Sequence, residues 1–334
     1  MLNVLVSKEY EKIFKNIKTS APDYLFFELI DFSLPIEKIH LHLSKANAII
    51  GRVDLTDSQY ETAKKLSIIQ TLSSGYDPID LVKAGKNKVI VANNNGANAI
   101  SVAEHVLMLI LALYRRLLFH HKSVTTGTWE NLKYTNRAFY GKTLGIFGLG
   151  NVGKALAKRA SAMGVNVQYF DIIRQIEIEK KFNLKFVFPK ELLKNSDIVS
   201  YHVPKTKFTH QIICHNSLKL MHRDAILINT SRGYIHDERA IYEALYKNQI
   251  FGAGLDVFEV EPLQENSPLR KLKNILLTPH SAPDIESYLR SIQNALQNII
   301  LVSKGKAPLS PAVDYDKVTS KFLKHFPREK FFLS

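Results

Sequence analysis

Short apolar runs alternate along the chain with longer segments in which apolar and polar residues recur at helical spacing. In the amino-terminal part these runs lie at 2–6, 25–29, 46–50, 68–71 and 89–92, and each has the length of one strand. Strands that alternate with helices are typical of a parallel sheet covered by helices on both faces. The pattern therefore predicts that the chain begins with an α/β unit.

A second series of apolar runs lies at 144–147, 165–170, 197–202, 225–230, 252–256 and 275–278, and it predicts a second parallel sheet. The amphipathic segment 284–302 predicts a helix that returns to the first sheet. We therefore predict an α/β fold with two doubly wound parallel-sheet domains. A Rossmann domain at 100–284 is inserted into a discontinuous flavodoxin-like domain made of residues 1–99 and 285–334.

The segment 143–171 has the pattern of a dinucleotide-binding βαβ unit. An apolar run leads into Gly148, Gly150 and Gly153, a helical pattern follows, and a second apolar run ends at Asp171. The first glycine allows a tight turn, the second allows a pyrophosphate to approach the backbone, and the third allows helix and strand to pack closely. Asp171 would bind the adenosine ribose hydroxyls and repel a 2′-phosphate, which favours NAD over NADP. A glycine-rich packing turn is the structural alternative.

The segment 99–118 is apolar on nearly every side, which predicts one buried helix. One domain surface seldom covers a whole helix. We therefore expect the region 100–118 to lie at the junction of the two domains and to contribute to a homodimer interface. For the polar residues Glu104 and His105 we favour a structural role over a catalytic one.

Three side chains of complementary chemistry follow successive strands of the second series: Arg232, Glu261 and His280. The carboxyl ends of parallel strands form the ligand-binding edge of an open α/β sheet, so these side chains are expected to converge. A guanidinium can clamp a carboxylate bidentately, and a histidine can exchange the proton that accompanies hydride transfer. A neighbouring glutamate favours the imidazolium and holds the ring in one tautomer. Taken singly, each residue could equally be an ordinary surface or loop residue.

Two loops of the first unit are candidates for binding a substrate anion. The backbone N–H groups of Ser73, Ser74 and Gly75, which follow the run 68–71, could hold a carboxylate. Arg52 also follows a strand, although a surface arginine is the simpler interpretation.

Composition narrows the class of protein. The 334 residues are 46% hydrophobic and 23% charged, as in an ordinary globular protein. Cys214 is the only cysteine, so an internal disulfide and a cysteine-rich zinc site are excluded, and a reducing cytosol is expected. We predict no metal, no secretory leader and no membrane segment. The formal net charge of +14 is dispersed, so we interpret it as a lysine-rich surface rather than a nucleic-acid site.

Five motifs together resemble the D-isomer-specific 2-hydroxyacid dehydrogenase family, and the resemblance covers nearly the whole chain. They are GLGNVG at 148–153, HVPKTKFT at 202–209, INTSRG at 228–233, LDVFEVEP at 255–262 and TPHSA at 278–282. The resemblance implies that Arg232 binds substrate, that Glu261 supports His280, and that His280 is the general acid or base. It also implies a substrate-carboxylate loop at Ser74 and Gly75.

The resemblance completes the predicted cofactor site. It implies that Asp256 contacts the nicotinamide carboxamide and that Thr230 belongs to a cofactor loop. The full set of predicted cofactor-binding residues is Gly148, Gly150, Asn151, Val152, Gly153, Asp171, His202, Pro204, Thr209, Thr230, Ser231 and Asp256. One departure is visible: Ser281, Ala282 and Pro283 follow His280, where the family often has glycines.

The sequence thus predicts a cytoplasmic, NAD-dependent oxidoreductase that acts on a small anionic 2-oxo acid or D-2-hydroxy acid. A non-catalytic, corepressor-like protein that senses NAD(H) is the alternative, and the basic, aromatic tail 304–334 gives it some attraction.

Overall fold

A computed structural model describes residues 1–130 and 135–323 of the chain. The chain divides into two compact units. The first unit comprises residues 1–98 and 283–314, and the second comprises residues 99–282 together with the helix Tyr315–Leu323. Each unit contains one parallel sheet, so the predicted fold class of two parallel-sheet α/β domains is confirmed.

The first unit has a five-stranded sheet in the order β2-β1-β3-β4-β5, which is the flavodoxin-like order. Its strands are β1 (Leu2–Ser7), β2 (Leu25–Ile30), β3 (Ala48–Ile50), β4 (Ile68–Gln70) and β5 (Ile90–Ala92). Its helices are α1 (Phe14–Thr19), α2 (Ile36–Lys45), α3 (Asp57–Thr62), α4 (Leu81–Lys86) and α12 (Ile285–Ser303). The predicted strands agree with these to within two residues at each end. One core cluster joins Ile292 and Ile299 of α12 to Val4 and Ile50 of the sheet, so α12 completes the first unit.

The second unit has a seven-stranded sheet in the order β12-β11-β10-β9-β6-β7-β8. Its strands are β6 (Thr143–Phe147), β7 (Asn166–Phe170), β8 (Lys185–Phe186), β9 (Ile198–Tyr201), β10 (Ile226–Asn229), β11 (Gly252–Leu255) and β12 (Ile275–Leu277). Its helices are α5 (Ala99–Tyr114), α6 (Leu117–Thr125), α7 (Asn151–Ala162), α8 (Ile176–Phe182), α9 (Pro189–Asn195), α10 (His215–Leu218), α11 (Glu238–Tyr246) and α13 (Tyr315–Leu323). The order reverses between β6 and β9, which is the switch point where dinucleotides bind in Rossmann folds.

The prediction of one continuous helix over 99–118 is wrong. The structure has two helices because Arg116 adopts left-handed backbone angles, φ 48° and ψ 41°, which a right-handed helix cannot contain. The Arg116 guanidinium lies over the Phe251 ring, 5.6 Å from its centroid. Helix α5 is also not buried on every side, since 51% of the surface of Ile100 and 47% of the surface of Met108 are exposed.

The carboxyl-terminal part of the predicted domain 285–334 also differs from the structure. Helix α13 groups with the second unit, where the backbone N–H of Lys207 donates to Asp316 Oδ1 at 3.0 Å. The tail residues 324–334, which include Phe326, Phe331 and Phe332, lie outside the described residues. Within the described ranges, no helix combines the length and the apolar character needed to cross a bilayer.

Candidate active site

The glycine loop between β6 and α7 is closely packed at its first and third glycines. Gly148 has φ +90°, and a Cβ there would lie 2.6 Å from the carbonyl oxygen of His202. A Cβ on Gly153 would lie 2.3 Å from the carbonyl oxygen of Gly148. These two glycines therefore allow the turn and its contact with the helix, as the sequence predicts.

Gly150 differs, because a Cβ there would meet no atom within 4 Å. The space above this residue is therefore open to a ligand. Asn151 and Val152 begin α7, so the amino terminus of the helix and its positive dipole end lie in the same turn. Open space beside a helix amino terminus fits the pyrophosphate of a dinucleotide.

Asp171 follows β7 and is held by the glycine loop. The backbone N–H of Leu149 donates to Asp171 Oδ2 at 2.7 Å, and the N–H of Ile173 donates to Oδ1 at 3.0 Å. Burial raises the pKa of Asp171 above its ordinary value, and these backbone hydrogen bonds act in the opposite direction. Gln175 also binds this loop, since its Nε2 donates to the Leu149 carbonyl oxygen at 2.8 Å. An oriented carboxylate beside the glycine loop fits the hydroxyls of an adenosine ribose.

The loop after β9 carries three predicted cofactor residues. His202 Nε2 lies 2.9 Å from the Ser200 hydroxyl, and burial lowers the pKa of His202 to about 3, so its ring is neutral at physiological pH. The hydroxyl of Thr209 donates to the Pro204 carbonyl oxygen at 2.7 Å and accepts from the backbone N–H of Thr206 at 2.8 Å. These bonds order the loop.

The loop after β10 depends on Asn229, a residue that the sequence analysis missed. Its Oδ1 accepts from the backbone N–H of Ser231 at 3.0 Å and from the Ser231 hydroxyl at 2.9 Å, while its Nδ2 donates to the Arg232 carbonyl oxygen at 2.9 Å. The available signal was an asparagine near the end of the apolar run 225–230, and the structure shows that its amide is fully buried. In the described part of the chain, the buried Thr230 hydroxyl has no hydrogen-bond partner within the protein, which fits contact with a ligand.

Arg232 and Glu261 lie on loops that approach each other closely. A Cβ on Gly233, the residue after Arg232, would lie 1.8 Å from the Phe258 carbonyl oxygen, so only glycine fits there. Arg232 is extended, with φ −144° and ψ 141°, and its Nη1 donates to the Ser231 carbonyl oxygen at 2.7 Å. The backbone contact at Gly233 thus brings the loops after β10 and β11 together.

His280 and Glu261 form the predicted pair. His280 Nδ1 lies 2.8 Å from Glu261 Oε2, and the other carboxylate oxygen, Oε1, accepts from the backbone N–H of Phe258 at 3.1 Å. Because an ionised carboxylate only accepts hydrogen bonds, Nδ1 carries the hydrogen and Nε2 is the nitrogen that can exchange a proton. Glutamate thus fixes the tautomer and orientation of the ring.

A buried network holds the His280 loop in place. Asp256 Oδ1 accepts from the Thr278 hydroxyl at 2.6 Å and from the Ser281 N–H at 2.9 Å, and Oδ2 accepts from the Ala282 N–H at 3.2 Å. His105 Nε2 lies 3.0 Å from the Thr278 hydroxyl, and burial lowers the pKa of His105 while the charge of Asp256 opposes this shift. These hydrogen bonds of the Asp256 carboxylate go to the loop that departs from the family pattern, and the contact of Asp256 with nicotinamide stays a prediction.

The predicted carboxylate loop of the first unit, at 73–75, is ordered by side-chain hydrogen bonds. The Ser73 hydroxyl donates to the Gly75 carbonyl oxygen at 2.9 Å, and the Ser74 hydroxyl donates to Asn98 Oδ1 at 3.1 Å. Arg52 binds Glu9, since its Nη2 lies 3.1 Å from Glu9 Oε2 and its backbone N–H donates to Oε1 at 2.7 Å. The substrate role of these residues stays a prediction.

The described residues fit NAD at three separate points: the open space at Gly150, the carboxylate of Asp171 and the unpaired hydroxyl of Thr230. Among the residues that the structure describes, no group of His, Cys, Asp and Glu is arranged to hold a metal ion.

Comparison with known proteins identifies the family of the chain. Residues 107–282 match the family model for the D-isomer specific 2-hydroxyacid dehydrogenase, NAD binding domain. The chain is 39% identical to a glyoxylate reductase of Korarchaeum cryptofilum over 75% of this chain and 76% of the relative. It is 41% identical to a glyoxylate reductase of Thermofilum pendens over 81% of this chain and 80% of the relative.

The fold is similar to a crystal structure of D-lactate dehydrogenase with NAD⁺ from Lactobacillus jensenii. The TM-score is 0.78 and the identity is 26%, over 93% of this chain and all of that one. The sequence motifs, the two parallel sheets and the extent of these matches lead to one assignment: this chain belongs to the D-isomer specific 2-hydroxyacid dehydrogenase family.

Proposed function

We propose that this chain reduces a small 2-oxo acid to the D-2-hydroxy acid through the residues Arg232, Glu261 and His280. As a member of the family, the chain is an NAD-dependent oxidoreductase of 2-oxo acid and 2-hydroxy acid pairs. The observation that carries the assignment of residues is the 2.8 Å hydrogen bond between His280 Nδ1 and Glu261 Oε2. It leaves Nε2 as the proton-exchanging atom at the carboxyl edge of the sheet.

Each residue has a separate task in this proposal. When bound, NADH supplies the hydride that the carbonyl carbon accepts. His280 donates a proton from Nε2 to the carbonyl oxygen, and Glu261 stabilises the imidazolium before that transfer. Arg232 binds the substrate carboxylate and polarises the adjacent carbonyl. In the oxidation direction His280 accepts the hydroxyl proton instead.

Glyoxylate is the first candidate substrate, because the two curated relatives described above are glyoxylate reductases. The test follows the absorbance of NADH with glyoxylate, pyruvate and hydroxypyruvate. Arg232→Ala should lower kcat/KM about 30-fold or more, which corresponds to about 2 kcal/mol. Arg239→Ala is the matched control, because Arg239 is 84% exposed in its side chain and pairs with Glu243 on α11. Wild-type activity in Arg232→Ala would refute the assignment.

The comparisons lend no support to the corepressor-like alternative, since the curated relatives described above are named as enzymes. The cytoplasmic location stays a prediction.

A homodimer is the second part of the proposal. Ile100, Met108 and Leu118 are large apolar side chains that are between 47% and 62% exposed on α5 and α6, and Ile100 and Met108 are two helical turns apart. A second copy of the chain would remove this surface from water.

Sedimentation of the purified protein tests this part. The wild type should sediment as a dimer, whereas Met108→Glu should sediment as a monomer because it places a charge in the covered surface. Val82→Glu is the matched control, since Val82 is 61% exposed on α4 of the first unit. A wild-type monomer would contradict the proposal.

A further inference from the structure

Helix α13 lies close to two loops of the second unit. The backbone N–H of Lys207, in the loop after β9, donates to Asp316 Oδ1 at 3.0 Å. Asp171, in the loop after β7, lies within electrostatic range of Tyr315: burial first, and then the charge of Asp171, raise the pKa of the Tyr315 phenol. One turn further along the helix, Thr319 is buried. The amino-terminal turn of α13 therefore has a packed face.

These two loops have a defined position relative to the cofactor. Strands β9 and β7 pair with β6 on its opposite sides, and the glycine loop follows β6. In a doubly wound sheet, the acid after the second strand binds the adenosine ribose, and the dinucleotide lies across the switch point. The adenosine half is consequently flanked by the loops that contain Asp171 and Lys207. A helix that accepts a hydrogen bond from one of these loops and lies within electrostatic range of the other lies at the adenosine half.

We propose that α13 forms the outer wall of the adenosine pocket, with the Tyr315 ring against the adenine and Asp316 as the anchor of the helix. This inference rests on the proposed role of Asp171 at the adenosine ribose. A half-buried tyrosine can serve as this wall, because an aromatic ring stacks on the π-face of a base. Asp316 can anchor α13 because its carboxylate accepts a hydrogen bond from the backbone N–H of Lys207, so the anchor does not depend on the Lys207 side chain.

Calorimetric titration with ADP-ribose tests the wall directly, because this ligand contains the adenosine half and lacks nicotinamide. Tyr315→Ala should weaken the binding of ADP-ribose about tenfold. Tyr315→Phe should restore the affinity to within about twofold, since the ring is kept. Lys321→Ala is the matched control, because Lys321 is exposed on the same helix. Thermal unfolding of each variant shows whether it is folded.

Asp316→Ala provides a second, independent variant at the helix surface, and it should weaken ADP-ribose binding in the same direction as Tyr315→Ala. Unchanged affinity in both variants would overturn the inference. Tighter binding would also overturn it, because α13 would then compete with the cofactor. Asp171→Ala distinguishes an error in the proposed ribose site from an error in the proposed role of α13. If Asp171→Ala binds ADP-ribose like the wild type, the proposed ribose site is wrong, whereas weak binding in Asp171→Ala alone refutes only the role of α13.

Discussion

Gly150→Ala should separate cofactor binding from folding. Gly150 has φ −72° and ψ −160°, a conformation open to alanine, and the added Cβ meets no protein atom within 4 Å. The free energy of unfolding should therefore change by no more than about 0.5 kcal/mol. The same methyl group would occupy the space through which the pyrophosphate approaches the backbone. Overpacking by one methyl costs about 1–3 kcal/mol, so the dissociation constant for NADH should rise about 5- to 150-fold.

Gly153→Ala is the matched variant with the opposite behaviour. Its Cβ would lie 2.3 Å from the Gly148 carbonyl oxygen, which is backbone and cannot rotate away. This variant should lose about 1–3 kcal/mol of stability or more, because helix α7 must move away from the loop. Both variants lose a glycine of the same loop, so the comparison isolates the direction in which each position faces.

Urea unfolding and calorimetric titration with NADH measure the two effects separately. Normal NADH affinity in a folded Gly150→Ala protein would show that no ligand approaches the backbone there. Wild-type stability in Gly153→Ala would show that the glycine loop is not closely packed. Either result would contradict the assignment of the loop.

Three further predictions concern the histidines of the second unit. His280→Asn should lower kcat about 10²- to 10⁴-fold without changing the dissociation constant for NADH. Asparagine is chosen because it tolerates the φ of +52° at this position. A kcat within threefold of wild type would contradict the proton-transfer role. His105→Leu removes the contact with the Thr278 hydroxyl, so kcat should fall several-fold with unchanged NADH affinity, while an effect on affinity alone would refute a role in holding the His280 loop. His202 has a pKa of about 3 in the folded protein against about 6.5 in the unfolded chain. Between these two pH values the unfolded chain binds more protons than the folded protein. The free energy of unfolding therefore decreases as the pH falls below 6.5. From pH 7 to pH 5 this loss should reach about 2 kcal/mol, and His202→Asn should lack that share; equal pH dependence in urea unfolding would contradict it.

Much of the fold follows from local patterns. The apolar runs predicted the sheets because a buried parallel strand is apolar on both faces, and this property is visible within a few residues. The glycine spacing predicted the turn at Gly148 and Gly153 because this spacing, too, is visible within a few residues. The short strand β8, at Lys185–Phe186, was missed because two residues carry no periodicity.

The residue types of the site were predictable, and the family resemblance implied that Glu261 supports His280, but the geometry of the contacts was not predictable. Glu261 and His280 each follow a strand, which the sequence indicates, yet they are 19 residues apart, and only the folded sheet edge brings Nδ1 to Oε2. His105 and Thr278 are separated by 173 residues, and nothing local to either predicts their contact. The role of Gly233 is equally non-local, because the atom that excludes a side chain belongs to Phe258.

The sequence by itself determined the two parallel sheets, the nucleotide loop and the chemical types at the strand ends, because periodicity, glycine spacing and side-chain chemistry are local properties. Only the tertiary structure decided that the helix pattern breaks at Arg116, that Asn229 orders the Arg232 loop, and that α13 packs on the second unit. Two of these features depend on partners that are distant in the chain: Arg116 lies over the Phe251 ring, and Asp316 of α13 accepts from the backbone N–H of Lys207. Asn229 binds residues only two and three positions away, but its amide is fully buried, and that burial depends on the folded sheet.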